Sequence, residues 1–153
     1  SKQSRGLGDV YKRQVLGDKI IMANNASVAG HVVVGDYANF GGYSGVPQFR
    51  SIGENTHIAA MSLVTKDVPA FMTVAGNPAS AVGLNLEGMR RRDFSADSLA
   101  ALKESHKIVY RSGLTKNKAL TRLAELRSKY LEVEKFARSI ESSESGIVRG
   151  RSH

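Results

Sequence analysis

Bulky apolar residues recur every six positions from Leu16 to Val64, as Leu16, Met22, Val28, Val34, Phe40, Val46, Ile52, Ile58 and Val64. A small residue usually follows: Gly17, Ala23, Ala29, Gly35, Gly41, Gly53 and Ala59, with Pro47 and Thr65 as exceptions. A period of six fits neither the helix, which repeats at about 3.6, nor the strand, which repeats at about two. It fits a chain wound as a three-sided coil, one hexad per side, with coils stacked at the inter-strand spacing of about 4.8 Å. The bulky residue then points inward. The small one lets the chain turn a corner where a larger side chain would strike the next coil. Four residues after each bulky position comes a second inward candidate of modest size: Ala26, Val32, Ala38, Ser44, Thr56 and Ser62. The fold predicted is mostly β then α, a left-handed parallel β-helix of hexapeptide repeats followed by a small C-terminal α-helical domain. Fewer than three coils are present. Such stacks bury their column only when several coils cooperate, so further coils are expected ahead of Val15.

The rest of the chain divides around this repeat. Residues 1–14 carry no hexad, and Asp9-Val10-Tyr11-Lys12-Arg13-Gln14 resembles a translated sequencing adapter, so they are expected to be a leader outside the fold. The β-helix is expected over 15–70, ending near Asp67-Val68-Pro69. Residues 71–93, with the turn formers of Val74–Ala79, read as an exit segment. Over 94–141 the period becomes helical. Ser95 is an N-cap candidate, Leu99, Leu102, His106 and Val109 share a face, and Gly113 stops the helix. Thr115 opens a second helix with Leu120, Leu123, Leu126 and Tyr130, and Val133, Phe136 and Ile140 mark a third. Residues 142–153, rich in Ser, Gly and Arg, are expected to form a flexible tail.

Composition narrows the chemistry. Lys and Arg number 22 against 14 Asp and Glu, a net charge of +8, which suits an acidic partner or a phosphorylated substrate. Cysteine is absent, which excludes disulfides and thiolate zinc sites and fits a reducing compartment. No apolar run is long enough to span a bilayer. His31 and His57 lie 26 residues apart, not a whole number of coils, so they fall on different sides; with no obvious third ligand, no metal is expected. His57 and His106 read as structural histidines.

A fold of this kind serves many functions, so function rests on particular residues. Ala23-Asn24-Asn25-Ala26, Ala29-Gly30-His31-Val32, Gly41-Gly42, Gln48-Phe49, Gly76-Asn77, Asn85-Leu86-Glu87-Gly88 and Arg90-Arg91-Arg92 are the first part of a pattern. Tyr110-Arg111-Ser112-Gly113 and Phe136-Ala137-Arg138-Ser139 continue it. Through them the stretch from about Val15 to Arg149 resembles the UDP-N-acetylglucosamine O-acyltransferases that begin lipid A synthesis. The resemblance implies transfer of a 3-hydroxyacyl chain from acyl carrier protein to the sugar 3-hydroxyl, without cofactor, metal or covalent acyl-enzyme. It also implies a homotrimer with active sites between neighbouring prisms. A cytoplasmic location is expected from the lack of a spanning run or signal-peptide pattern, and neither nucleic acid nor a membrane span is expected as a partner.

The same resemblance assigns roles. Gly30 supplies the oxyanion N–H, and His31 and Gln48, 17 residues apart, face the active-site cleft from adjacent coils. Asn85, Glu87 and Arg91 hold the UDP-sugar, and Ala60 forms the floor of the acyl-chain pocket. Arg90-Arg91-Arg92 with Lys103, Lys107 and Arg111 suit the acidic carrier protein. The family's histidine base lies one coil before His31, and counting back nineteen residues reaches Lys12, so the base is absent from this chain and the chain is expected to be inactive by itself. Pro47 and Pro78 depart from positions where the family often has histidine. Taken without the resemblance, His31 is equally a solvated corner residue, Gln48 a surface residue, and Asn85, Glu87 and Arg91 a capped, charged helix entry. Two alternatives stay open: the sibling N-acyltransferase of the same pathway, against which the Asn-x-Glu-Gly-x-x-Arg segment argues, and a non-catalytic trimeric scaffold.

Overall fold

Every sixth residue of the repeat has left-handed backbone without being glycine. In the computed structural model, which describes residues 14–151, Lys19, Asn25, His31, Tyr37, Tyr43, Phe49, Asn55 and Met61 have φ between 54° and 64°. Each such residue costs on the order of 1 kcal/mol or more, and the stacked coils hold it there. These residues turn the corners, three positions after each inward residue. The small residue beside the inward one has a different task from the turning role expected for it. A Cβ on Gly41 would lie 2.4 Å from the Ala60 nitrogen, and one on Gly53 2.3 Å from the Ala70 nitrogen. The collision anticipated from the sequence is real. The turn itself is made two residues further on.

Between the corners run two-residue strands: β1 (Val15–Leu16), β2 (Ile21–Met22), β3 (Ser27–Val28), β4 (Val33–Val34), β5 (Asn39–Phe40), β6 (Gly45–Val46), β7 (Ser51–Ile52) and β8 (His57–Ile58). They pair in parallel across the coils with an offset of eighteen, Val15 with Val33 and Val33 with Ser51, Ile21 with Asn39 and Asn39 with His57, Ser27 with Gly45. Three sides result, β1-β4-β7, β2-β5-β8 and β3-β6, forming a left-handed parallel β-helix of about three turns. The inner column is buried from Val28 through Val64, while Leu16 and Met22 are only partly covered. Val32, Ala38, Ser44, Thr56 and Ser62 form the second inward row, joined by Ile20. Hydroxyls in that row stay satisfied within the wall: Ser44 donates to the Gly41 carbonyl, Thr56 donates to that of Gly53, and Ser62 accepts from the Gly76 N–H.

The last coil is two residues shorter, pairing Ile52 with Val68 and His57 with Thr73. Beyond it the expected irregular exit is ordered. β9 (Met72–Gly76) continues the second side beside β8, turns through a cis Asn77–Pro78 bond, and returns antiparallel as β10 (Ala79–Leu84). A one-turn-and-a-half helix, α1 (Leu86–Arg91), follows at once and buries Met89. Alternation of buried Met72 and Val74 with partly exposed Thr73 is a strand signature, outweighed in the sequence by nearby turn formers.

Three longer helices complete the chain. α2 (Ala96–Arg111) starts where Ser95 accepts from the Ser98 N–H, and α3 (Lys116–Lys129) where Thr115 accepts from that of Lys118. α4 (Leu131–Glu141) begins after Tyr130 and buries Val133, Phe136, Ala137 and Ile140. On α2 the buried residues are Ala101, Leu102, Ser105, Ile108 and Val109, with Ser98 beside them; Leu99 and His106 flank this face rather than forming its centre. The expected loose tail is a docked segment as far as it is described. Ile147 and Val148 are buried, the Val148 N–H donates to the Asp67 carbonyl, and Tyr110 donates its phenol hydrogen to the Val148 carbonyl. Two apolar residues in an otherwise polar tail supply the reason. One buried cluster runs from Ile20 through Phe71 and Met89 to Phe136 and Val148, so prism and helices share a core. Of the expected leader, residues 1–14, residues 1–13 lie outside the described residues, while Gln14 touches the coil by donating to the Ala29 carbonyl. Among the described residues, no helix is long and apolar enough to cross a membrane.

Candidate functional site

A cleft of about 660 Å³ opens between α1 and the second side of the prism. Its near wall is built by the β-helix: the corner residues Lys19, Tyr37 and Asn55, and the outward strand residues Asn39, His57 and Thr73. Its far wall is Asn85, Glu87, Gly88, Arg91 and Arg92. Asn85 fixes the entry to α1. Its side-chain oxygen accepts from the Gly88 N–H at 3.2 Å, its amide donates to the Asn55 carbonyl at 3.0 Å, and its own N–H donates to the Phe71 carbonyl. A Cβ at position 88 would stand 2.4 Å from the Asn85 amide nitrogen and 3.0 Å from that of Asn55, so a side chain there would displace these asparagines. The Asn55 amide nitrogen is buried, with no hydrogen-bond partner among the described residues.

The three arginines after α1's first turn diverge. Arg90 is exposed. Arg91 pairs with Glu87 one turn earlier at 2.6 Å, with both side chains about three-quarters exposed, so this pair contributes little to stability and leaves both groups open to the cleft. Arg92 turns inward. Its guanidinium lies 3.7 Å from the centre of the Tyr37 ring, donates to the Asn55 side-chain oxygen and pairs with Glu54, which also meets Lys135 of α4. The basic triplet predicted as one carrier-facing patch is thus divided, because successive residues on a helix point about 100° apart. Lys103, Lys107 and Arg111 are exposed on α2.

Asn85, Glu87 and Arg91, predicted together, are brought together. Gly30, His31 and Gln48 lie elsewhere, at the corner between the third and first sides. With an eighteen-residue coil, Gln48 lies beneath Gly30, and Phe49 lies beneath His31, the two rings stacking at 4.8 Å. The seventeen-residue spacing is therefore one short of a coil. Gln48 is exposed, as is Ala60, which comes two residues after β8 beneath Gly42. Pro47 and Pro78 are exposed. His57, expected to be structural, lines the cleft instead. The hexad held that signal, because a residue before an inward Ile58 must face outward. His106 stacks on Tyr110 at 5.0 Å; burial and then Arg111 lower its pKa, while burial pushes the Tyr110 phenol well above its ordinary range against the opposing Arg149. Among the described residues no three His, Asp or Glu side chains gather as a metal site.

A parallel coil of eighteen residues, closed by a hairpin and four helices with a cleft under the first, defines a hexapeptide-repeat β-helix protein with a helical C-terminal unit. Residues 67–148 match the family described as UDP N-acetylglucosamine O-acyltransferase, domain 2, and the chain belongs to that family. It is 49% identical over 135 residues to the acyl-[acyl-carrier-protein]–UDP-N-acetylglucosamine O-acyltransferase of Ectopseudomonas mendocina and 46% identical to that of Thiobacillus denitrificans. In both cases the match covers 88% of this chain and 52% of the relative, so the chain spans about half the length of these curated proteins. Among solved structures it is similar to the UDP-N-acetylglucosamine O-acyltransferase of Moraxella catarrhalis, with a TM-score of 0.86 at 42% identity over 90% of this chain and 53% of the other. The Campylobacter jejuni enzyme gives 0.85 at 37% identity over 91% and 54%.

Proposed function

We propose that this chain serves the transfer of a 3-hydroxyacyl group from acyl carrier protein to the 3-hydroxyl of UDP-N-acetylglucosamine, the first step of lipid A biosynthesis, in the cytoplasm. The observation that carries this reading is the gathering of Asn85, Glu87 and Arg91 on one wall of a single cleft, in a chain of this family. Arg91 offers the planar donor that a phosphate oxygen takes as a charge-assisted partner. Asn85 and Glu87 offer neutral and anionic groups for the hydroxyls and imide of a nucleotide sugar.

In the reaction, the sugar 3-hydroxyl loses its proton to a base as its oxygen bonds to the thioester carbonyl carbon. The resulting oxyanion is stabilised by the Gly30 N–H, and collapse breaks the carbon–sulfur bond and returns a proton to the carrier thiol. No covalent enzyme intermediate and no metal is required. The base position falls at Lys12, outside the described residues, and acyl transfer by this chain alone is expected to be absent. Gly30, His31 and Gln48 occupy a different corner from the α1 cleft, so one substrate meets both sets where two copies adjoin. A cyclic trimer supplies three equivalent sites of this kind. Exposed Tyr43, Phe49 and Met61 give the prism an apolar surface suited to burial between copies. Ala60 then borders the acyl chain, and Lys103, Lys107 and Arg111 face the acidic carrier.

Calorimetric titration of UDP-N-acetylglucosamine into the chain tests this reading. The wild type is expected to bind, and Arg91→Ala to weaken binding by about tenfold or more, the worth of a hydrogen bond to a charged group. Its melting temperature should stay unchanged, because the Arg91–Glu87 pair is exposed. A wild-type chain that ignores the nucleotide sugar, or an Arg91→Ala variant with undiminished affinity, would contradict it.

A further inference from the structure

The side of the cleft opposite α1 has a polar composition that none of the roles above uses. Asn39, His57 and Thr73 are Cα partners in successive coils, so their outward side chains form a ladder with steps of about 4.8 Å. All three line the cleft and all are partly exposed. None has a side-chain hydrogen-bond partner among the described residues. Beside them the buried Asn55 amide nitrogen likewise has no partner among the described residues. An amide, an imidazole and a hydroxyl in register, each with free capacity, are what a ligand rich in neutral donors and acceptors needs from a wall it lies along. The cationic groups of the cleft stand elsewhere: Lys19 at the corner, Arg91 on α1, and Arg92 held by Glu54.

We propose that the Asn39–His57–Thr73 ladder hydrogen-bonds the uncharged part of the nucleotide sugar, with His57 as its central contact, while the phosphates are left to Arg91. This inference rests on the cleft being the nucleotide-sugar site. It makes His57 a determinant of specificity.

The test is titration of UDP-N-acetylglucosamine into wild type, His57→Leu, His57→Gln and Arg91→Ala at low and high salt, at a pH of about 8. His57→Leu should weaken binding by about fivefold, equivalent to one neutral hydrogen bond, by the same factor at both salt concentrations. His57→Gln, which keeps a donor and an acceptor, should stay within about twofold of wild type. The Arg91→Ala loss should shrink at high salt, as expected of a charged contact. Equal melting temperatures for the three His57 forms exclude a folding effect, since the side chain faces outward. Binding by the wild type with no loss in His57→Leu, or a loss that shrinks with salt as that of Arg91→Ala does, overturns the ladder and leaves the site standing. No binding by the wild type overturns the site, and the ladder with it.

Discussion

His106 shows how one side chain can connect packing to pH. Burial, and then the neighbouring Arg111, hold its folded-state pKa below the ordinary value of 6.5. As pH falls through that value, the unfolded chain takes up a proton before the folded chain does. Stability from this group is therefore complete above 6.5 and declines below it, towards the lowered folded value. The expected result is a melting temperature that falls more between about pH 7.5 and about pH 5.5 in the wild type than in His106→Gln. Parallel pH profiles for the two proteins would contradict it. At this scale the sequence showed unevenly. Asn85, Glu87 and Arg91 are grouped through the family resemblance, since their spacing alone describes only a capped, charged helix entry. Arg92 could not be separated from its neighbours, since its commitment depends on Tyr37, Glu54 and Asn55, which are distant in sequence. The outward direction of His57 is legible from its place before the inward Ile58.

Among the elements, the C-terminal segment departs furthest from expectation. Low-complexity composition suggested a free tail, yet Ser143 donates to the Asp67 carboxylate at 2.6 Å, and Ile147 pairs with Asp67 as a β-bridge. The segment thereby covers backbone at the prism's exit, where an open edge would otherwise be exposed. Burial of Ile147 and Val148 is worth on the order of 1.5–3 kcal/mol each, a large share of a typical domain's stability. Ending the chain after Ser142 should thus lower the urea midpoint markedly. Identical midpoints would refute the docking. The hairpin of β9 and β10 was hidden for a similar reason, because its partner strand, β8, is supplied by the coil and not by local sequence. By contrast, the caps of α2 and α3 are local devices, and Ser95 and Thr115 declared them openly.

For the whole molecule, the period of six carries the fold of the prism. It sets the coil at eighteen residues, the three sides and the inner column, because each depends on one repeated choice between a large residue and a small one. What a period cannot express is how the prism ends. Shortening of the last coil to sixteen, the shared core through Phe71 and Met89, and the cleft beneath α1 all arise where the repeat stops. The two groups of site residues then lie at different corners of one prism, and in the function proposed above a symmetric neighbour unites them. The most direct measurement is a crystal structure of the chain grown with UDP-N-acetylglucosamine. The nucleotide sugar should lie beneath α1 against Asn85, Glu87 and Arg91, with His31 of an adjoining copy facing it. A ligand bound away from that cleft, or held there by one copy alone, would contradict the proposal.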